Sequence, residues 1–262
     1  MASHLDKVRD DDSYADILAG WDAGFYEKFT EVLRPSRPGG RVLDMGCGVG
    51  QVVAALSREG FEAHGVDVAS ANIDRARMQS PRCLIYDGRR LPYRDDTFDS
   101  VGALNVLEHV EDPEAFVAEA VRVCMPGGRI VLSSPNFLRF LGWNDYHPRM
   151  RGLGNKWRNL RALLARRRRM RDDPDKVRFE RMQPIIKSPF TPDDDAIVCT
   201  NALDMEFALR RLGCSIEVSS CTDRKVSPWV DAILNATPLR YGLFNAFVVA
   251  RKGTGKDAGS RT

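Results

Sequence analysis

A chain of 262 residues, 43% hydrophobic and 29% charged, is long enough for one large α/β domain or two small ones with real cores. No apolar run approaches the roughly 20 residues that span a bilayer, and Met1-Ala-Ser-His-Leu-Asp-Lys7 is polar with no apolar stretch behind it, so secretion and membrane insertion are not expected. The expected setting is the cytoplasm, with no membrane partner.

Cys47, Cys83, Cys124, Cys199, Cys214 and Cys221 form no C-x-x-C or Cys/His cluster, which argues against a structural zinc site or a disulfide scaffold and for reduced, buried thiols. The net charge of +3 hides an asymmetry. Between Arg139 and Lys187 stand 15 Lys/Arg against 5 Asp/Glu, so this segment carries +10 and the rest of the chain −7.

Taken in chain order, apolar residues spaced by three and four from Ser13 to about Leu33 predict an amphipathic helix, ended by Pro35 and the turn at Pro38-Gly39-Gly40. Arg41 to Gly46 predicts a buried strand, followed by a glycine turn and a helix from Val52 to Glu59. Ala63–Asp67 is a second strand, Ala71–Met78 a second helix and Cys83–Tyr86 a third strand. Phe98–Leu104 is a fourth strand. Asp112-Pro113-Glu114 then starts a helix to about Cys124, with an N-cap acid, proline at the first position and an acid near the positive end of the dipole. Pro126-Gly127-Gly128 reads as a turn into strand five, Arg129–Ser133.

From Phe137 to about Asp195 the alternation stops. This basic stretch, which includes Arg166-Arg167-Arg168-Arg169, shows one helix between Lys156 and Met170 and no clean strand. A helix from Asn201 to Leu212 capped by Gly213, strand six at Ser215–Ser220 and a last strand at Leu243–Ala250 complete the pattern. The expected organisation is a single domain over 1–262: an N-terminal helix at 13–34, a cofactor-binding core at 41–136, a basic cap insertion at 137–196, a C-terminal helix and strand pair at 197–252, and a tail at 253–262. Parallel β/α winding is the economical reading of its first half.

The chemistry concentrates at Val42-Leu-Asp44-Met-Gly46-Cys-Gly48-Val-Gly50. Glycines there let the backbone turn sharply at the carboxyl edge of a sheet, where open α/β sheets bind their ligands. Asp44 would sit unfavourably beside a pyrophosphate but suits a cationic ligand such as S-adenosylmethionine, with its sulfonium and ammonium. Asp67, 21 residues after Gly46, is placed for the ribose hydroxyls of either kind of nucleotide, and Asp87-Gly88 for an adenine amino group. Asp and Gly also favour turns and caps without any ligand, and it is their ordered set that points to a cofactor.

These residues resemble the class I S-adenosylmethionine-dependent methyltransferases, in particular the group of ubiquinone and menaquinone biosynthesis enzymes and sugar or natural-product methyltransferases. The resemblance rests on the glycine turn together with Gly65-Val-Asp67, Tyr86-Asp87-Gly88, Leu91-Pro92 followed by Asp96-Thr-Phe98-Asp99, Asn105-Val-Leu-Glu108-His109-Val, Met125-Pro-Gly127-Gly128 and Ser-Pro135-Asn136. It implies a Rossmann-like seven-stranded sheet of order 3-2-1-4-5-7-6 with strand 7 antiparallel, flanked by helices, and a cap inserted after strand 5. It implies that Gly46, Cys47 and Gly48 lie along the methionine part of S-adenosyl-L-methionine, with Asp44 and Gly50 also at the cofactor. Asp67 would hold the ribose, Val68 lie against the adenine, Asp87 and Gly88 face its edge, and Asn105 offer its backbone near the sulfonium. The product would be S-adenosyl-L-homocysteine.

The expected reaction is O-methylation of a hydroxyl on a small polar molecule such as a sugar, glycan or glycosylated metabolite. His147 is the first candidate for the base that takes the hydroxyl proton, with Asp145 to orient it or act itself and His109 as a further candidate. Trp143, Tyr146 and Arg149 are candidate substrate contacts. Glu108-His109 also reads as the start of the next helix or the floor of a pocket. The triplet Asp193-Asp194-Asp195 reads as a solvated helix lead-in or, less simply, as ligands for a divalent metal. The basic insertion is compatible with a solvated lid, recognition of an anionic or sugar-bearing substrate, or nucleic acid; lid plus substrate recognition is preferred. Alternatives are a methyltransferase or non-catalytic binding protein acting on RNA through the Arg-rich insertion, and C- or N-methylation of a quinone-like or amine metabolite. A homodimer is compatible with the sequence.

Overall fold

The buried run Val42-Leu-Asp-Met45 is the seed around which the first half of the chain is laid down. A computed structural model of the chain describes residues 12–142, 147–185 and 193–254. These divide into two units. The first holds the described residues up to Leu104 together with Ala118–Val131 and the segment from Arg251; the second holds Asn105–Val117 and Leu132–Ala250.

The first unit opens with helices α1 (Asp12–Ala19) and α2 (Ala23–Leu33). The sequence predicts one helix here. The break comes at Asp22, whose extended backbone and carboxylate make it the N-cap of α2, with Oδ1 accepting from Phe25 N at 3.1 Å. Then follow β1 (Arg41–Met45), α3 (Gln51–Arg58), β2 (Glu62–Asp67), α4 (Ser70–Gln79), β3 (Cys83–Ile85) and β4 (Phe98–Leu104). β1 runs parallel to β2 and to β4, and β2 parallel to β3. In this register Asp44 is flanked by Gly65 of β2 and Gly102 of β4. A Cβ on Gly102 would lie 2.7 Å from the Phe29 ring, so glycine is what lets α2 seat Phe29 and Leu33 on the sheet.

Helix α5 (Pro113–Val123) leads into β5 (Cys124–Pro135). The strand begins five residues before the predicted Arg129, because Pro126-Gly127-Gly128 is part of it. The carbonyls of Cys124 and Gly127 there accept from Lys252 Nζ and an Arg251 guanidinium nitrogen, both at 2.8 Å.

The second unit contains α6 (Gly152–Asp172), α7 (Ala202–Arg211), β6 (Cys214–Ser220), α8 (Pro228–Asn235) and most of β7 (Asn245–Lys252). Between Phe137 and Asp195 the described residues hold no strand, only a bridge from Arg181 to Val198. Asn136 fixes the chain as it leaves β5: its Nδ2 donates to the carbonyls of Tyr241 and Leu243 at 2.9 and 2.8 Å, and its Oδ1 accepts from Leu138 N. The periodicity reading missed α8, which buries none of its residues and so shows no core-facing stripe.

The seven strands form one sheet in the order β3-β2-β1-β4-β5-β7-β6, with β7 antiparallel, as the sequence predicts. All six cysteines are buried and reduced. Among the described residues no helix is long and apolar enough to cross a membrane.

Candidate cofactor and active site

After β1 the chain turns through Gly46, Gly48 and Gly50, whose φ values of 75°, 52° and 86° lie where L side chains are rarely found. The N–H groups of Gly46 and Cys47 both donate to the Val66 carbonyl, at 2.7 and 3.0 Å, which ties the turn to β2. Gly48 N donates to Asp67 Oδ2 at 2.9 Å, while Asp67 Oδ1 accepts from Ala69 N at 2.9 Å and Asn72 Nδ2 at 3.3 Å. The carboxylate at the end of β2 is thus fixed in place and organises the turn. Burial pushes its pKa up, against the pull of these donors.

Val68 lies close to Gly88, where a Cβ would come within 3.2 Å of Val68 Cγ1. Asp87 is exposed; its Oδ1 accepts from Arg89 N and Arg90 N at 2.8 and 3.0 Å, which lowers its pKa. The Cys47 side chain covers Gly65, and the neighbouring Cys83 thiol, then burial, push its own thiol's pKa up.

Asp44 is the decisive group. It is 4% exposed, yet no group among the described residues donates a hydrogen bond to its carboxylate. Burial, and then the charge of Asp67, raise its pKa to about 7. A buried carboxylate without donors holds its proton or is completed by a cation. Beside a glycine turn and a second buried acid, Asp67, the charged end of S-adenosylmethionine is a cation that would fit there.

In the second unit Asn105, directly after β4, takes a left-handed φ of 52° and donates its N–H to Ser133 O at 2.8 Å. Asparagine is one of the residues that tolerate this conformation, and here it turns the chain at the end of the strand. Leu107–His109 form a single 3-10 turn, so Glu108-His109 does not start the next helix. Glu108 is fully buried. Its Oε2 accepts from Ser134 Oγ at 2.8 Å, and its backbone carbonyl accepts from Ile197 N and Val198 N.

His109 Nδ1 stands 3.3 Å from Asp195 Oδ2 and Nε2 3.8 Å from Glu108 Oε1. Burial alone would lower the pKa of His109, but Asp195 and Glu108 outweigh it and carry it to about 9. Burial carries that of Glu108 to about 7. Glu108, His109 and Asp193 also each bring a ligand atom within 4.8 Å of the others, a donor set that a divalent cation accepts. The three aspartates of the Asp193–Asp195 turn are therefore not equivalent: Asp193 and Asp195 join Glu108 and His109, while Asp194 is buried. Sequence reasoning did not find this convergence, since some 84 residues separate the two halves of the cluster.

His147 is 3% exposed, caps the 3-10 turn Pro148–Met150 by accepting from Arg149 N at 3.2 Å, and stacks edge-on against Phe137. Arg149 pairs with Glu180 and keeps part of its side chain exposed. Trp143, Asp145 and Tyr146 lie outside the described residues.

Residues 43–132 match the family model of the methyltransferase domain. They form a class I S-adenosylmethionine-dependent methyltransferase domain. S-adenosylmethionine is the cofactor of this methyltransferase domain.

Among curated proteins, the chain is 34% identical over 140 residues to a 37.1 kDa protein in a transposon of Streptomyces fradiae, covering 50% of this chain and 40% of that one. It is 32% identical over 133 residues to the ubiquinone biosynthesis O-methyltransferase of Xanthomonas campestris, covering 44% and 56%. The alignments thus take in about half the length of the relatives. Among solved structures, an S-adenosylmethionine-dependent methyltransferase of Mesorhizobium loti superposes on 88% of this chain and 99% of its own, with a TM-score of 0.57 at 20% identity, a likeness of fold.

Proposed function

We propose that the protein transfers a methyl group from S-adenosylmethionine to a hydroxyl oxygen of a small organic acceptor. The observation that carries this reading is Asp44, the buried carboxylate at the end of β1 that finds no donor among the described residues. When bound, the cofactor supplies an electrophilic methyl on a positive sulfur, which keeps the electrons of the broken bond and leaves as the thioether S-adenosylhomocysteine.

The chain's own work is alignment and proton handling. Asp44 balances the cofactor's positive charge, Asp67 receives the ribose hydroxyls, and the Gly46–Gly50 turn lets the backbone come close. A hydroxyl that attacks carbon must lose its proton to a base. The cluster of Glu108, His109 and Asp195 fits that role better than His147: burial carries Glu108 to about 7, so its carboxylate can take the proton beside His109, which its carboxylate neighbours keep protonated, whereas His147 is buried with Nδ1 occupied. His109 stands five residues beyond the end of β4.

Oxygen as the acceptor atom is supported by this base and by the O-methyltransferase name of the Xanthomonas relative. A sugar, glycan or glycosylated metabolite suits the polar sequence that follows β5, and a phenolic hydroxyl suits that relative's name. The enzyme is tested by titration with S-adenosylhomocysteine beside NAD, then by methyl transfer to a panel of sugars and catechols. Saturable binding of the thioether alone, weakened in Asp44→Asn, is the expected result; no binding of the thioether overturns the reading.

A further inference from the structure

Helix α6 carries the strongest local charge in the protein and also a surface that its charge does not explain. Its inner side is set by Asn159, Leu163 and Arg166, spaced by four and three and packed within the second unit. Asn159 Nδ2 donates to the carbonyls of Arg139 and Arg149 at 2.9 and 3.3 Å. The outer side presents Leu153, Trp157 and Leu164, exposed by 80%, 67% and 56%. Spacings of four and seven put these three on one stripe, with Arg161 between Trp157 and Leu164 and Arg168 beyond.

Around the stripe the arginines are poorly neutralised. Arg168 and Arg171 share Asp172, and Arg167 lies over the Tyr241 ring, 5.3 Å from its centre. Among the described residues Arg158 reaches the backbone carbonyl of Arg149 and no acid. Arg161 and Arg169 meet no acid among the described residues. The same unit exposes a second apolar surface on α8, where Trp229 and Ile233 are open to water.

We propose that the second unit docks on the surface of an anionic lipid bilayer through α6, with Trp157, Leu153 and Leu164 at the boundary of headgroups and acyl chains and the arginines on lipid phosphates. Charge complementarity and the apolar stripe together select this partner. RNA would use the arginines and the tryptophan ring but would leave Leu153 and Leu164 uncompensated. A second copy meeting this face by two-fold symmetry would set arginine against arginine. The proposal concerns attachment to a surface rather than spanning, departs from the expectation of no membrane partner, and does not depend on the methyl-transfer reading.

The test is co-sedimentation of the full chain with vesicles of phosphatidylcholine alone and of phosphatidylcholine with about one-third phosphatidylglycerol. The expected result is binding to the anionic vesicles only, weakening with salt, with a blue shift of tryptophan fluorescence that Trp157→Ala reduces. Arg161→Ala and Arg169→Ala should each lower partitioning by about fivefold. Failure to bind the anionic vesicles overturns the proposal, as does binding unchanged by Trp157→Ala. An RNA oligonucleotide that binds tightly with or without Leu153→Ser and Leu164→Ser, while vesicles do not bind, also overturns it and makes the helix a nucleic-acid surface. Self-association abolished by Trp157→Ala, without vesicle binding, would overturn it in favour of a dimer.

Discussion

Arg166 Nε lies 2.8 Å from Asp204 Oδ2, joining the middle of α6 to the first turn of α7 where both side chains are largely withdrawn from water. The same guanidinium reaches Glu180 Oε2 at 3.1 Å, and Glu180 in turn holds Arg149. Asp204 also accepts from Asn201 Nδ2 at 2.7 Å. Removing Arg166 therefore strands a buried carboxylate. Arg166→Ala should cost about 3–5 kcal/mol, whereas Arg169→Ala, three positions on and exposed, should stay within about 0.5 kcal/mol. Urea unfolding of both variants decides, and equal midpoints would dissolve the distinction.

Asp44 predicts a pH dependence of known sign. Its pKa in the folded chain, about 7, lies above the ordinary 3.8, so the folded state holds a proton that the unfolded state has already lost. The ligand-free protein should lose stability as pH rises from about 4 to about 7 and level off above. A ligand bearing an ammonium favours the ionised form. Affinity for S-adenosylhomocysteine should therefore rise with pH through the same range, with proton release on binding. Calorimetry near pH ~6 in two buffers of different ionisation heat measures that proton; Asp44→Asn should abolish its release.

Asp67 is predicted to act twice, on the cofactor and on the turn, because Oδ2 accepts from Gly48 N. Asp67→Ala should weaken S-adenosylhomocysteine binding by at least about tenfold, from the loss of hydrogen bonds to a charged group worth about 1.5–3 kcal/mol each. Isothermal titration gives the number. Unchanged affinity would remove Asp67 from the cofactor site.

Two glycines on the strands flanking β1 should separate packing from binding. A Cβ on Gly65 would sit 2.7 Å from Cys47 Sγ in the glycine turn, and one on Gly102 2.7 Å from Phe29. Each alanine variant should lose about 1–3 kcal/mol from overpacking. Only Gly65→Ala should also lose cofactor affinity, since it alone pushes on the turn; a parallel loss in Gly102→Ala would contradict this.

The histidines give a kinetic contrast. His109→Asn should lower kcat by about 10²–10⁴-fold with cofactor affinity kept. His147→Ala should cost about 1 kcal/mol of stability through the lost cap and leave kcat within a small factor. A slow but stable His147 variant would return the base to the segment after β5.

The sheet was legible because its determinants are local. Hydrophobic runs of strand length, Gly and Pro at the turns, and the acid at the end of β2 all lie within a few residues of what they organise. The break between α1 and α2 was missed because a continuous apolar spacing outweighed one capping aspartate, Asp22. The early start of β5 was missed because Pro126-Gly127-Gly128 reads locally as a turn, while side chains of Arg251 and Lys252, far along the chain, hold it in the strand.

By itself the sequence placed the strand–turn–helix units, the glycine turn and the acids Asp44 and Asp67 at the ends of their strands, since local spacing fixes these, while the order of the strands came from the resemblance of its motifs to a known family. Only the tertiary structure decided that Asp44 finds no donor among the described residues, that His109 gathers Glu108, Asp193 and Asp195, that His147 caps the turn at Pro148–Met150, and that the arginine run divides. Helical geometry turns Arg166 inward to Asp204 and Glu180 and leaves its neighbours facing water. Burial and pairing are properties of what the fold brings together across long stretches of chain, and no local pattern encodes them.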